Sequence, residues 1–159
     1  MAIPMFAESQ VYSSLIGVTY KNQTELSLLK NCEKIETKVD FDRYLCSVYF
    51  DTINTKYIVL AEKENEGVQE NTYTILDVIE FGSLNRKQHL LVGSAEGIHL
   101  ETHRFVIAID CCYKIDKAED WPDTSFKMYK AWAINKRSDK IERLKAKRVT
   151  RVGEGFTWP

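Results

Sequence analysis

Residues 43–50 (RYLCSVYF) and 56–62 (KYIVLAE) are rich in β-branched and aromatic side chains, and the turn formers DTINT at 51–55 separate them. Such side chains pack well on a pleated surface and lose rotamer freedom in a helix, so the pair predicts a β-hairpin. That hairpin commits the middle of the chain to antiparallel sheet. A further run, residues 103–115 (HRFVIAIDCCYKI), is apolar at odd and even positions alike. Phe105, Ile107 and Ile109 face one way, Val106 and Ala108 the other, which places this strand in the interior of a sheet.

The same grammar predicts strands over 72–81 (TYTILDVIEF), 127–135 (KMYKAWAIN) and, after a KRSD turn at 136–139, over 140–146. Residues 89–92 suit a short strand or a helix end. Helical spacing of Ile141, Leu144 and Arg148 offers a helix over 140–152 instead, but the turn before it favours the hairpin. The acidic stretch 63–71 reads as an exposed connection. N-terminal to all of this, Val11, Leu15 and Ile16 form a stripe that Gly17 would cap, predicting a helix over 8–17. Thr24 is placed to N-cap a second short helix carrying Leu26, Leu28 and Leu29. The expected fold is therefore α+β: one or two short N-terminal helices, then a mostly antiparallel, meander-like sheet of about six or seven strands.

Composition bounds the rest. With 159 residues, 44% hydrophobic and 28% charged, the chain is neither a disordered tail nor a membrane bundle. No apolar run is long enough to span a bilayer. A single domain over 1–159 is expected, with 1–7 a leader or unstructured start and 153–159 a loose tail.

Charge is segregated. Residues 127–152 hold ten basic residues against Asp139 and Glu142, a local charge of +8 in a chain whose net charge is -1. Lys136, Arg137, Lys140, Arg143, Lys145, Lys147, Arg148 and Arg151 could track phosphates, with Tyr129 and Trp132 available for stacking. Packing beside the acidic remainder, or blunting a sheet edge, explains the same charges without nucleic acid.

The four cysteines are Cys32, Cys46, Cys111 and Cys112. No C-x-x-C pair or zinc-ligand spacing occurs, so neither a metal site nor any cofactor is expected. A Cys32–Cys46 bridge would close a loop and stabilise by about 3 kcal/mol; two free buried thiols are the alternative. Phe6-Ala7 before Glu8-Ser9 has the small-residue character of a cleavage site. Periplasmic or secreted localisation is thus expected, with a cytoplasmic protein starting at Met1 as the alternative.

Catalytic signals are sparse. His99, Glu101 and His103 alternate on one strand face and could do acid–base work, but their spacing does not match a His-Glu-x-x-His helix. A Cys111 or Cys112 nucleophile would sit mid-strand, where thiolate stabilisation is poor. No Gly-rich phosphate loop, nucleophile elbow or dinucleotide fingerprint is present. By elimination, and from compactness and charge polarity, the expectation is a small non-enzymatic binding protein: an inhibitor or toxin-immunity-type partner binder. A nucleic-acid-binding module using residues 127–151 and an enzyme using His99, Glu101 and His103 are the alternatives.

Overall fold

The computed structural model describes residues 11–94, 101–111, 127–145, 150–152 and 155–157. The chain divides into two compact units, Met1–Ser83 and Leu84–Pro159. Both are built on antiparallel sheet.

In the first unit the strands are β1 (Thr19–Tyr20), β2 (Cys32–Val39), β3 (Tyr44–Asp51), β4 (Lys56–Asn65) and β5 (Thr72–Gly82). They lie in the order β1-β5-β4-β3-β2, so β2 to β5 form a meander and β1 adds to its far side. The 43–50 and 56–62 runs pair as expected, with Tyr49 opposite Ile58 and Ser47 opposite Leu60. Alternation then sets Ser47, Tyr49, Ile58, Leu60 and Glu62 on one face. Two bulges interrupt the ladders. Ile35 is the extra residue between Lys34 and Glu36 on β2. Leu76 is the extra residue on β5, where Ala61 faces Asp77 and Glu62 faces Ile75.

The expected α+β arrangement is overturned here. Among the described residues there is no α-helix, only three single turns of 3₁₀-helix at Tyr12–Leu15, Gln23–Glu25 and Ser27–Leu29. A three-residue period buries Tyr12 with Leu15 and Leu26 with Leu29, while Val11, Ile16 and Leu28 of the expected stripes stay exposed. After the first turn the backbone leaves helical geometry to join the sheet. Gly17 takes φ 88° and donates to the Ile75 carbonyl at 2.7 Å, and Ile75 donates back to Val18 at 2.9 Å. Sheet pairing has overridden local helical spacing. The second turn starts at Asn22 rather than Thr24, where the Glu25 carboxylate accepts from the Asn22 N–H at 2.7 Å. These turns lay Tyr12, Leu15, Leu26 and Leu29 against Tyr20, Tyr49, Ile58, Leu60 and Ile75, closing the core of the unit.

The second unit contains β6 (Gln88–Ser94), β7 (His103–Cys111), β8 (Lys127–Asn135) and β9 (Ile141–Leu144) in the order β6-β7-β8-β9. Strand β7 is interior, as its two apolar faces predicted, and Phe105 to Ile109 are all buried. The β8–β9 pairing sets Trp132 opposite Arg143 and Ile134 opposite Ile141, so residues 141–144 form the returning strand of a hairpin and not a helix. A separate antiparallel pair joins β10 (Thr150–Val152) to β11 (Gly155–Thr157). The single meander of the sequence reading is thus two sheets, of five and four strands, and a two-stranded ribbon. Among the described residues no helix is long and apolar enough to cross a membrane.

Candidate functional site

Two loops at one end of the first sheet present the most exposed apolar side chains of the described residues. Phe41 and Val68 are 107% and 106% exposed, and Val39 is more than half exposed beside them. Phe41 sits in the turn between β2 and β3; Val68 sits in the connection between β4 and β5. Both turns lie at the end where Tyr44 pairs with Lys63. They are tied together by the Glu64 N–H donating to the Arg43 carbonyl at 2.8 Å, and by Arg43 and Glu66 at 3.8 Å.

Neither turn is slack. The Asp40 carboxylate accepts from the Asp42 and Tyr44 N–H groups, both at 2.9 Å, which is the local aspartate turn that competes with regular structure. Arg43 closes the turn at φ 66°. In the second loop Asn71 donates from its side chain to Glu64 and accepts the Gly67 N–H at 3.3 Å. A Cβ on Gly67 would fall 1.8 Å from the Glu70 carbonyl oxygen, so this close approach admits only glycine. The result is two braced loops that hold Phe41 and Val68 outward. Around them lie Asp40, Asp42, Glu64, Glu66 and Glu70 together with Lys38, Arg43 and Lys63, and Lys21 pairs with Glu70 at 3.9 Å.

A second feature of the same unit is a cavity of about 290 Å³ between the sheet face and residues 20–23. Glu62, 1% exposed, lies in it and accepts from the Tyr20 hydroxyl and, at 2.7 Å, from the Ser47 hydroxyl. Thr37 and Ser47 hydroxyls lie 3.2 Å apart. Burial pushes the Glu62 carboxyl above the usual range, opposed by the two hydroxyl donors and by the charge of Lys34. Tyr49 also lines the cavity; it is 0% exposed and its hydroxyl has no hydrogen-bond partner among the described residues.

Cys32 and Cys46 are both free thiols. Cys32 pairs with Asp51 and Cys46 with Lys38 at opposite ends of the β2–β3 ladder, so the expected bridge is not formed. The Tyr12 hydroxyl lies 3.6 Å from the Cys32 sulfur and donates to Asp51 at 2.7 Å. Lys136 and Arg137 lie in the β8–β9 turn, and with Lys140, Arg143 and Lys145 they are exposed. The Arg143 guanidinium stands 5.1 Å from the centre of the Trp132 ring and covers that stacking face. Lys147 and Arg148 lie outside the described residues, as does His99; Arg151 falls in β10.

Glu101 is exposed and does not join His103. His103, 8% exposed, instead meets Glu142 at 3.2 Å through Nε2 and Thr102 at 2.9 Å through Nδ1. Glu142 also accepts from the Asn135 side chain at 2.9 Å. This cross-strand cluster satisfies a buried histidine. Among the described residues no group of three or more His, Cys, Asp or Glu is arranged to hold a metal ion.

The loop-tip site escaped the sequence reading. Its one signal was a phenylalanine set between two aspartates, Asp40-Phe41-Asp42, among turn formers. No family model matches the chain, and no curated protein or solved structure does either.

Proposed function

We propose that this chain is a non-catalytic, partner-binding protein of the inhibitor or immunity type, docking a basic protein through the Phe41–Val68 loop tips. The observation that carries the reading is the full exposure of both side chains on adjoining turns braced by side-chain hydrogen bonds. Isolated apolar residues on a surface need no explanation. Two of them on turns tied together by hydrogen bond and ion pair, rimmed by charged side chains with a slight acidic excess, have the anatomy of a hot spot and its rim. Bracing lowers the ordering cost of association, so contact energy is retained as affinity. Burying Phe41 in a partner pocket contributes about 2–3 kcal/mol. The slight acidic excess of this rim favours a basic partner over an anionic surface.

The test is site-specific photo-crosslinking in the native host, with the crosslinker at position 41, 68 or 53. Ile53 is exposed in the β3–β4 turn at the opposite end of the sheet. One basic protein captured from positions 41 and 68 but not 53 is expected, with Phe41→Ser weakening the purified complex about 30-fold or more. Equal products from position 53, or none from 41 and 68, overturns the reading.

A further inference from the structure

Apart from the loop tips, the Glu62 cavity has the features of a ligand site. A carboxylate that leaves water needs its charge compensated; Glu62 has the charge of Lys34 nearby, but the hydrogen bonds it is given come from two neutral hydroxyls, Tyr20 and Ser47. A carboxylate has about four acceptor positions, so two hydroxyls leave capacity for further donors. Next to it the Tyr49 hydroxyl is fully buried and unpaired. Buried polar atoms without partners are rare in folded proteins, and a missing ligand is one physical explanation. Tyr20 and Tyr73, packed together with 5.6 Å between ring centres, line the same space as aromatic walls suited to a cation. Lys21, which also pairs with Glu70 at 3.9 Å, and Lys34 line it too, and the Lys34 ammonium stands 5.8 Å from the Tyr49 ring centre.

We infer that this cavity binds a small zwitterionic amine. Its ammonium group bonds Glu62 and the Tyr49 hydroxyl, and its acid group meets Lys21 and Lys34. Each part of the lining selects one part of that ligand. Glu62 and the tyrosines favour a cation, while the two lysines disfavour a bare cation and favour one that carries an adjacent anion. At about 290 Å³ the cavity lies at the small end of ligand sites and takes a compact amino acid-like molecule, not a cofactor.

The probes are γ-aminobutyrate, butylammonium and butyrate, titrated into the full chain with amide chemical shifts as the readout. γ-Aminobutyrate is expected to bind about tenfold more tightly than either half-molecule, shifting the amides of residues 20–23 and 62. Glu62→Gln keeps an acceptor and removes the charge; Tyr49→Phe removes the unpaired hydroxyl. Each is expected to weaken γ-aminobutyrate binding about tenfold. Tyr49→Phe is also expected to hold or raise the urea midpoint, because the hydroxyl it removes has no partner to lose. A purely structural Tyr49 would leave binding unchanged. The inference is overturned if γ-aminobutyrate produces no shifts at ~10 mM, a Kd range of only a few kcal/mol. Equal binding of all three probes overturns it too, as does binding unaffected by both substitutions.

Discussion

Tyr20→Phe tests how the buried carboxylate is held. Tyr20 comes from a strand of two residues, and its hydroxyl donates to Glu62 from 42 residues away in sequence. Phenylalanine keeps the ring against Tyr73 and removes only the donor. A hydrogen bond to a charged acceptor contributes about 1.5–3 kcal/mol, and Ser47 alone cannot replace it. The variant has one escape, which is to protonate Glu62. Burial already holds that carboxyl above its ordinary 4.5, so the folded state binds this proton more tightly than the unfolded chain. Stability from such a group is fully present below the unfolded pKa and is lost as pH rises through the folded one. Losing the Tyr20 donor raises the folded pKa further. The cost of Tyr20→Phe should therefore grow with pH, from about 1 kcal/mol near pH 5 to about 2–3 kcal/mol near pH 8. Urea unfolding of both proteins at the two pH values, with equal m-values, measures it. A cost that is pH-independent, or larger in acid, refutes this account of Glu62.

Asp51 gives the opposite sign. Burial alone would raise its carboxyl, but the Tyr12 hydroxyl, the Asn54 N–H and side chain and the Ile53 N–H together hold it down at about 2, from 3.8. Its stability contribution, about 2 kcal/mol, is present above the unfolded pKa and lost as pH falls toward 2. Asp51→Asn should remove that acid-dependent loss in urea titrations, and an unchanged pH profile would contradict it. The two thiols should also differ. Cys46 is fully buried and burial pushes its thiol well up, whereas Cys32 is half-buried. Iodoacetamide with peptide mapping should label Cys32 in the folded protein and reach Cys46 only in denaturant; equal rates would refute the placement.

Local chemistry marked β3, β4, β5, β7, β8 and β9 in the sequence, but not β1 or the eight-residue β2. RYLCSVYF, KYIVLAE and HRFVIAIDC carry side chains that suit a pleat whatever lies around them, and DTINT and KRSD carry the turns between partners that are close in sequence. The interior place of β7 was legible too, because both of its faces are apolar. Tertiary structure decided the N-terminal segment: its spacing fits a helix, but pairing Gly17 and Val18 with Ile75 satisfies the backbone on a sheet edge and leaves room only for 3₁₀ turns. It also decided the sites. Glu62 reads in sequence as the polar end of a strand; its place on the Ile58 and Leu60 face and the arrival of Tyr20 over that face make it a buried carboxylate. Phe41 and Val68 read as parts of two separate turns, and the β3–β4 register sets those turns side by side. His103 faced Glu101 in the strand alternation and met Glu142 from another strand instead. Side-chain period and turn chemistry act over a few residues and survive in the sequence. Which face is covered, and by which distant side chain, depends on strand register, and a bulge of one residue is enough to change it.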